Sequence, residues 1–163
     1  MKYAGILKND FVNGEGVCVS FWTQGCPHRC PGCHNPKTWD FNGGIEDSEA
    51  NVITEVINAI NANGVHRNLS ILGGEPLCEE NAELVADLIF AVKMYNPNIK
   101  IYLWTGYEYD ELKEKAEDEL VIQQILQEID VLITGRFILA ERDITNKWTG
   151  SRNQKVLYKN IDF

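Results

Sequence analysis

Three of the chain's five cysteines fall within eight residues, in the segment Gly25-Cys26-Pro27-His28-Arg29-Cys30-Pro31-Gly32-Cys33-His34-Asn35-Pro36. Thiolates are soft ligands, and three of them crowded together suit a soft metal or an iron–sulfur cluster. Spacings of four and three would place the sulfurs on one face of a helix. Pro27, Pro31 and Gly32 argue against a helix here, because proline lacks a donor and clashes in a helix interior. The expectation is a loop that wraps its sulfurs around a common centre. A closed structural zinc site wants four protein ligands, and no second Cys-x-x-Cys pair occurs downstream. Three ligands on a cuboidal four-iron cluster would leave one iron open to a substrate. The alternative is zinc, completed by His28, His34, Cys18 or Cys78. Cys18 and Cys78 themselves read as packing thiols, since a free cysteine behaves as a small buried hydrophobe.

The elements that must carry this loop follow from hydrophobic periodicity. Val17 to Trp22 alternates and is rich in β-formers, so it reads as a strand running into the cysteine loop. Ser48 is a candidate N-cap for a helix with Ile53, Val56, Ile57 and Ile60 on one face, stopped by Gly64. Leu69 to Leu72 reads as a strand ending in Gly73-Gly74-Glu75-Pro76. A helix with Val85, Leu88, Ile89 and Val92 on one face follows, with Pro97 beyond its end. Ile99 to Trp104 is a third strand, ending in Thr105-Gly106-Tyr107. One or two helices span 108–128, with the charged run Glu108 to Glu119 as an exposed face. Val131 to Ile133 is a fourth strand, ending in Thr134-Gly135-Arg136-Phe137. The stretch 140–154 is polar and irregular, and Lys155 to Tyr158 reads as a last short strand.

Strands alternating with helices imply parallel β-α-β units with right-handed crossovers. Sites in such folds lie at the carboxyl ends of the strands. Every glycine- or cysteine-bearing turn named above follows such an end, so four turns are expected to converge on one rim. With no repeat, low-complexity tract or linker, residues 1–163 are expected to form one domain. That length is short of the roughly 250 residues of a full eight-stranded α/β barrel.

Composition excludes more than it identifies. With 24 acidic and 15 basic residues the net charge is −9. That balance argues against nucleic acid as a partner, because non-specific affinity for it comes from clustered Lys and Arg. The 44% hydrophobic content is ordinary for a globular domain. No apolar run approaches the ~20 residues needed to cross a bilayer, so no membrane partner is expected. The first ten residues lack an apolar core with a cleavage site, and a cytoplasmic, reducing compartment is expected. Clustered cysteines there are metal ligands or redox groups rather than disulfides. Trp22, Trp39, Trp104 and Trp148 read as packing residues of core or rim.

Cys26-x-x-x-Cys30-x-x-Cys33 resembles the signature of the radical S-adenosylmethionine enzymes, and Gly73-Gly74-Glu75-Pro76 resembles that family's second motif. Asn13-Gly14-Glu15-Gly16, the cysteine loop, Asn35-Pro36-x-Thr38-Trp39-Asp40, Thr105-Gly106-Tyr107 and Gly150-Ser151-Arg152-Asn153-Gln154 follow one another in an order similar to one group within it. That group is the anaerobic ribonucleoside-triphosphate reductase activating proteins. The resemblance covers nearly the whole chain. It implies an α/β fold, a partial, open (β/α) barrel with a mostly parallel sheet. It implies one 4Fe-4S cluster per chain, held by Cys26, Cys30 and Cys33. It implies S-adenosylmethionine on the fourth iron, in contact with Gly32, Cys33, His34, Gly73, Gly74, Glu75 and Thr105. His34 stands where family members usually carry Tyr or Phe against the adenine, and its flat imidazole is able to stack there.

The implied activity is reductive cleavage of S-adenosylmethionine to a 5′-deoxyadenosyl radical, which makes a glycyl radical on the anaerobic reductase. No catalytic side chain is implied beyond the cluster and cofactor. The implied partners are the reductase's glycyl-radical subunit and a low-potential electron donor such as flavodoxin. The alternatives are an activase of another glycyl-radical enzyme, of the pyruvate formate-lyase type, or a non-catalytic zinc-binding module. A short chain favours a protein substrate, because fewer strands leave the barrel open on one side.

Overall fold

A computed structural model describes the whole chain, Met1–Phe163. In chain order the elements are β1 (Lys2–Asp10), β2 (Cys18–Thr23), β3 (Ile45–Glu46), α1 (Glu49–Ile60), β4 (Asn68–Gly73), α2 (Glu79–Tyr95), β5 (Ile101–Trp104), α3 (Tyr109–Asp118), α4 (Leu120–Glu128), β6 (Val131–Thr134) and β7 (Lys155–Tyr158). They build one seven-stranded sheet in the order β3-β1-β2-β4-β5-β6-β7. The four central strands are parallel. They are joined by α1, α2 and the α3–α4 pair, as β-α-β crossovers require. Both flanks are antiparallel, with β1 on β2, β3 on β1 and β7 on β6. The sheet does not close.

Alternation along the strands separates two faces. Val19, Phe21, Leu69, Ile71, Ile101, Leu103 and Leu132 point to the helices and join Val52, Val56, Val85, Leu88, Ile89, Leu112, Ile122 and Ile125 in one core. Each large aliphatic side chain so buried contributes roughly 1.5–3 kcal/mol. The other face holds a smaller cluster of Tyr102, Val131 and Ile133, covered by Trp104, Trp148 and Val156. No helix of the chain is long and apolar enough to cross a membrane.

The helix signals act as their chemistry predicts. Ser48 caps α1 by accepting from the Asn51 amide at 3.2 Å. Val85, Leu88, Ile89 and Val92 are buried on α2, which ends before Pro97. The stretch 108–128 divides into two helices at Glu119, whose extended backbone (φ −111°, ψ 96°) breaks the helical path. Two features differ from the sequence reading. The nine-residue β1 is absent from it, because half-exposed Lys2–Asp10 shows little alternation. The two-residue β3 is absent too, because Ile45–Glu46 is too short to show a period, whereas the last strand falls at Lys155–Tyr158 as read.

Candidate functional site

The carboxyl ends of β2, β4, β5 and β6 meet on one rim, and each end is followed by one of the four turns singled out in the sequence. The first turn is the cysteine loop. It is not helical, and Gly25 (φ +93°), Arg29 (φ +47°) and Gly32 (φ +76°) take left-handed conformations that bend it back on itself. Its base is pinned by the Gly25 amide to the Thr38 carbonyl at 2.8 Å and the Cys26 amide to the Trp39 carbonyl at 3.2 Å. Cys26 is buried, whereas Cys30 and Cys33 are partly exposed.

The Asn35 amide donates to Cys33 Sγ at 3.4 Å, while the amides of His28 and Arg29 lie near Cys26 and that of Phe137 near Cys30. Burial pushes the Cys26 thiol up, against the amides of His28 and Arg29. Burial also pushes Cys30 up, opposed by the Phe137 amide and the Arg136 charge. No three His, Cys, Asp or Glu side chains lie close enough to close on one ion.

Gly73-Gly74-Glu75 crosses directly behind the loop. The Gly74 amide donates to the Thr23 carbonyl at 2.9 Å and the Glu75 amide to the Gly25 carbonyl at 2.8 Å. A side chain at Gly74 would lie 2.1 Å from the Gly25 carbonyl oxygen, so only glycine permits this approach. Gly73 adopts φ +114°, with its missing Cβ position 2.5 Å from the Thr23 amide. Asn81 on α2 braces the crossing, its side-chain amide donating to the carbonyls of Gln24 at 3.1 Å and Glu75 at 2.9 Å.

Glu75 is 1% exposed and sits at the centre of the rim. One carboxylate oxygen accepts from the Thr105 hydroxyl at 2.7 Å and the Leu77 amide at 2.9 Å. The other accepts from the Gly106 amide at 2.7 Å and faces His28 Nε2 at 2.8 Å. A carboxylate offers about four lone-pair sites, and protein donors fill them here. Thr105 is buried, so its hydroxyl meets Glu75 and not open space.

The β6 turn completes the rim. Its Gly135 amide donates to the Tyr107 carbonyl at 3.0 Å, and Arg136 pairs with Glu111 at 3.1 Å. The 150–154 tail clamps this turn. Gln154 donates to the Gly135 carbonyl and Asn153 to the Arg136 carbonyl, both at 2.8 Å. The Ile138 amide donates to the Ser151 hydroxyl at 3.2 Å. The tail is thus a brace for the turn whose Phe137 amide lies near Cys30.

Of the residues expected at the site, Cys26, Cys30, Cys33, Gly73, Gly74, Glu75 and Thr105 are brought together. Gly32 and His34 lie on the exposed outer side of the loop, where Leu139 fills the space a Gly32 side chain would take. Cys18 and Cys78 are buried in packing positions. Cys78 precedes α2, and burial pushes its thiol up to about 12. Trp148 stacks edge-on against Tyr102 and Trp104. Asn81 escaped the sequence reading, since one amide in a helix gives no signal. So did His28 as a packing residue, although it is the one imidazole between two of the cysteines.

The family model described as a 4Fe-4S single cluster domain matches residues 12–157. The chain is 35% identical over 155 residues to the anaerobic ribonucleoside-triphosphate reductase-activating protein of Haemophilus influenzae, covering 94% of this chain and 96% of that one. It is 34% identical to the Escherichia coli strain K12 protein of that name, with coverages of 96% and 97%. It is also 34% identical to the one from Enterobacteria phage T4, with coverages of 99% and 96%.

Proposed function

Since this chain belongs to the family of anaerobic ribonucleoside-triphosphate reductase-activating proteins, we propose that it is a radical S-adenosylmethionine activase, acting in the cytoplasm on the glycyl-radical subunit of that reductase. Cys26, Cys30 and Cys33 would hold one 4Fe-4S cluster. The donor set fits: three thiols on one loop with backbone N–H groups close by, and such groups tune iron–sulfur potentials. When bound, the cluster supplies one electron to the sulfonium of S-adenosylmethionine, giving methionine and a 5′-deoxyadenosyl radical that takes a hydrogen atom from a glycine Cα of the reductase.

The chain's own part is to bind, orient and shield. In this reading Gly73 and Gly74 present backbone to the methionine end of the cofactor, and their missing side chains let that backbone lie directly against the base of the cysteine loop. Glu75 supplies negative charge at the same place and keeps Thr105 and Gly106 in register with the strap. Gly32, Cys33 and His34 line the outer side, where the flat His34 ring suits the adenine. The open sheet acts as a partial barrel, and its unclosed edge beside 136–154 admits a protein loop. A low-potential donor such as flavodoxin would deliver its electron from the side on which Cys30 and Cys33 are partly exposed.

The observation that carries the reading is the convergence of the three-cysteine loop and the glycine strap on one rim, in a chain of this family. Anaerobic reconstitution tests it. About four irons per chain and a reduced-state EPR signal that changes with S-adenosylmethionine are expected, and Cys30→Ala should lose both. Stoichiometric zinc with no response to S-adenosylmethionine would overturn the reading.

A further inference from the structure

Between Cys26 and Cys30 the loop touches the rest of the protein through one side chain. Pro27 and Arg29 are exposed, whereas the His28 side chain is only 6% exposed and points inward. Its Nε2 meets the Glu75 carboxylate at 2.8 Å. Its ring packs edge-on against Tyr107 at 4.7 Å between centroids and 76° between planes. Room for it exists because residue 106 is glycine: a Cβ there would lie 2.3 Å from His28 Cδ2. The acceptor is held ready, with Thr105, Leu77 and the Gly106 amide fixing the Glu75 carboxylate independently of His28.

We infer that His28 is a positioning residue: a buried imidazole that locks the cysteine loop onto the ends of β4 and β5 through Glu75, Gly106 and Tyr107, and so holds Cys26 and Cys30 in place before any metal arrives. Every other tether of the loop lies outside this stretch or beside a sulfur. The base is pinned at Gly25 and Cys26, and the Phe137 amide lies near Cys30. Removing the imidazole frees the turn that separates the first two thiols, while the helices and their core are untouched. The lock is made by the chain's own side chains, and its use as a ligand organiser rests on the cluster reading above.

Two measurements test it. In the full-length, metal-free chain, alkylation of buried Cys26 is followed site by site by mass spectrometry. His28→Ala is expected to accelerate it about tenfold or more, the effect of one charge-assisted hydrogen bond on a local opening equilibrium. Glu75→Gln should accelerate it at least as much, since it also disturbs the contacts with Thr105 and Gly106, and the double variant should be no faster than Glu75→Gln alone, because His28 acts through Glu75. Far-UV circular dichroism confirms the fold. If His28→Ala fails to fold, His28→Gln replaces it, with a rate expected between wild type and about tenfold.

In the reconstituted chain, iron release to a chelator should accelerate in parallel, and the EPR signal of the reduced cluster should shift. Wild-type rates at Cys26 in the folded variant, or additive effects in the double variant, would overturn the lock. A wild-type chain that takes up no iron would instead overturn the proposed function and leave the alkylation result standing.

Discussion

Gly74→Ala tests the closest backbone approach in the site. The new Cβ would stand 2.1 Å from the Gly25 carbonyl oxygen and 2.7 Å from its carbonyl carbon. These are backbone atoms, so no rotamer change relieves the overlap, and the two segments must separate by about 1 Å to reach ordinary contact. That separation breaks the bond from the Glu75 amide to the same Gly25 oxygen, now 2.8 Å long. Overpacking costs about 1–3 kcal/mol and a lost internal hydrogen bond about 1 kcal/mol, so the expected loss is about 3 kcal/mol. Urea unfolding followed by circular dichroism measures it. With a slope of about 1–3 kcal/mol per molar, the midpoint should fall by about 1–3 M at unchanged slope. Gly5→Ala is the control, since nothing lies within 4 Å of its added Cβ, and it should stay within about 0.5 kcal/mol of wild type. A Gly74→Ala variant as stable as that control would refute the packing of strap against loop.

Gly106→Ala should expel His28 from its slot, the clash being 2.3 Å against the ring, and should therefore raise Cys26 alkylation as His28→Ala does. In the metal-free native chain at pH 8, iodoacetamide should modify partly exposed Cys30 and Cys33 well before Cys18 and Cys78. A Cys78 thiol at about 12 leaves only about one molecule in ten thousand as thiolate at that pH, so early labelling of Cys78 would contradict its burial. Burial would raise the Asp10 carboxyl, but hydrogen bonds from Ser20, Asn13 and the Val12 amide outweigh it and hold the group below its ordinary range. Its folded value being lowered, the stabilisation is present above the unfolded value near 3.9 and is lost as pH falls through the lower folded one. Asp10→Asn should lower stability at neutral pH and flatten that acid limb in urea titrations, and an unchanged pH profile would count against the network.

The parts of the site that were legible in the sequence are those whose chemistry is local. Three thiols with prolines and glycine between them specify, without neighbours, an irregular loop rather than a helix. Gly73-Gly74 signals a backbone that something must approach. Ser48 and Pro97 act within their own turns and fall where expected. The remainder depends on contacts far apart in sequence. Glu75 reads as a free acceptor until Thr105, Gly106 and His28, up to 47 residues distant, are seen to fill it. The 150–154 tail reads as an exposed irregular stretch, and only the fold brings Asn153 and Gln154 onto the carbonyls of Arg136 and Gly135. β1 hides because it lies towards the edge of the sheet, paired mainly with β2 and only briefly with β3, with several side chains exposed. Its sequence carries neither the continuous apolar run of β6 nor a clean alternation. The antiparallel flanks are likewise set by chain return, which periodicity does not encode.

The most direct test of the account is to mix the reconstituted, reduced chain with S-adenosylmethionine and an anaerobic ribonucleoside-triphosphate reductase under strict anaerobiosis, and to record the EPR spectrum. The account predicts a glycyl-radical doublet on the reductase together with 5′-deoxyadenosine, both absent with Cys30→Ala. A chain that carries its full iron yet yields neither product would contradict it.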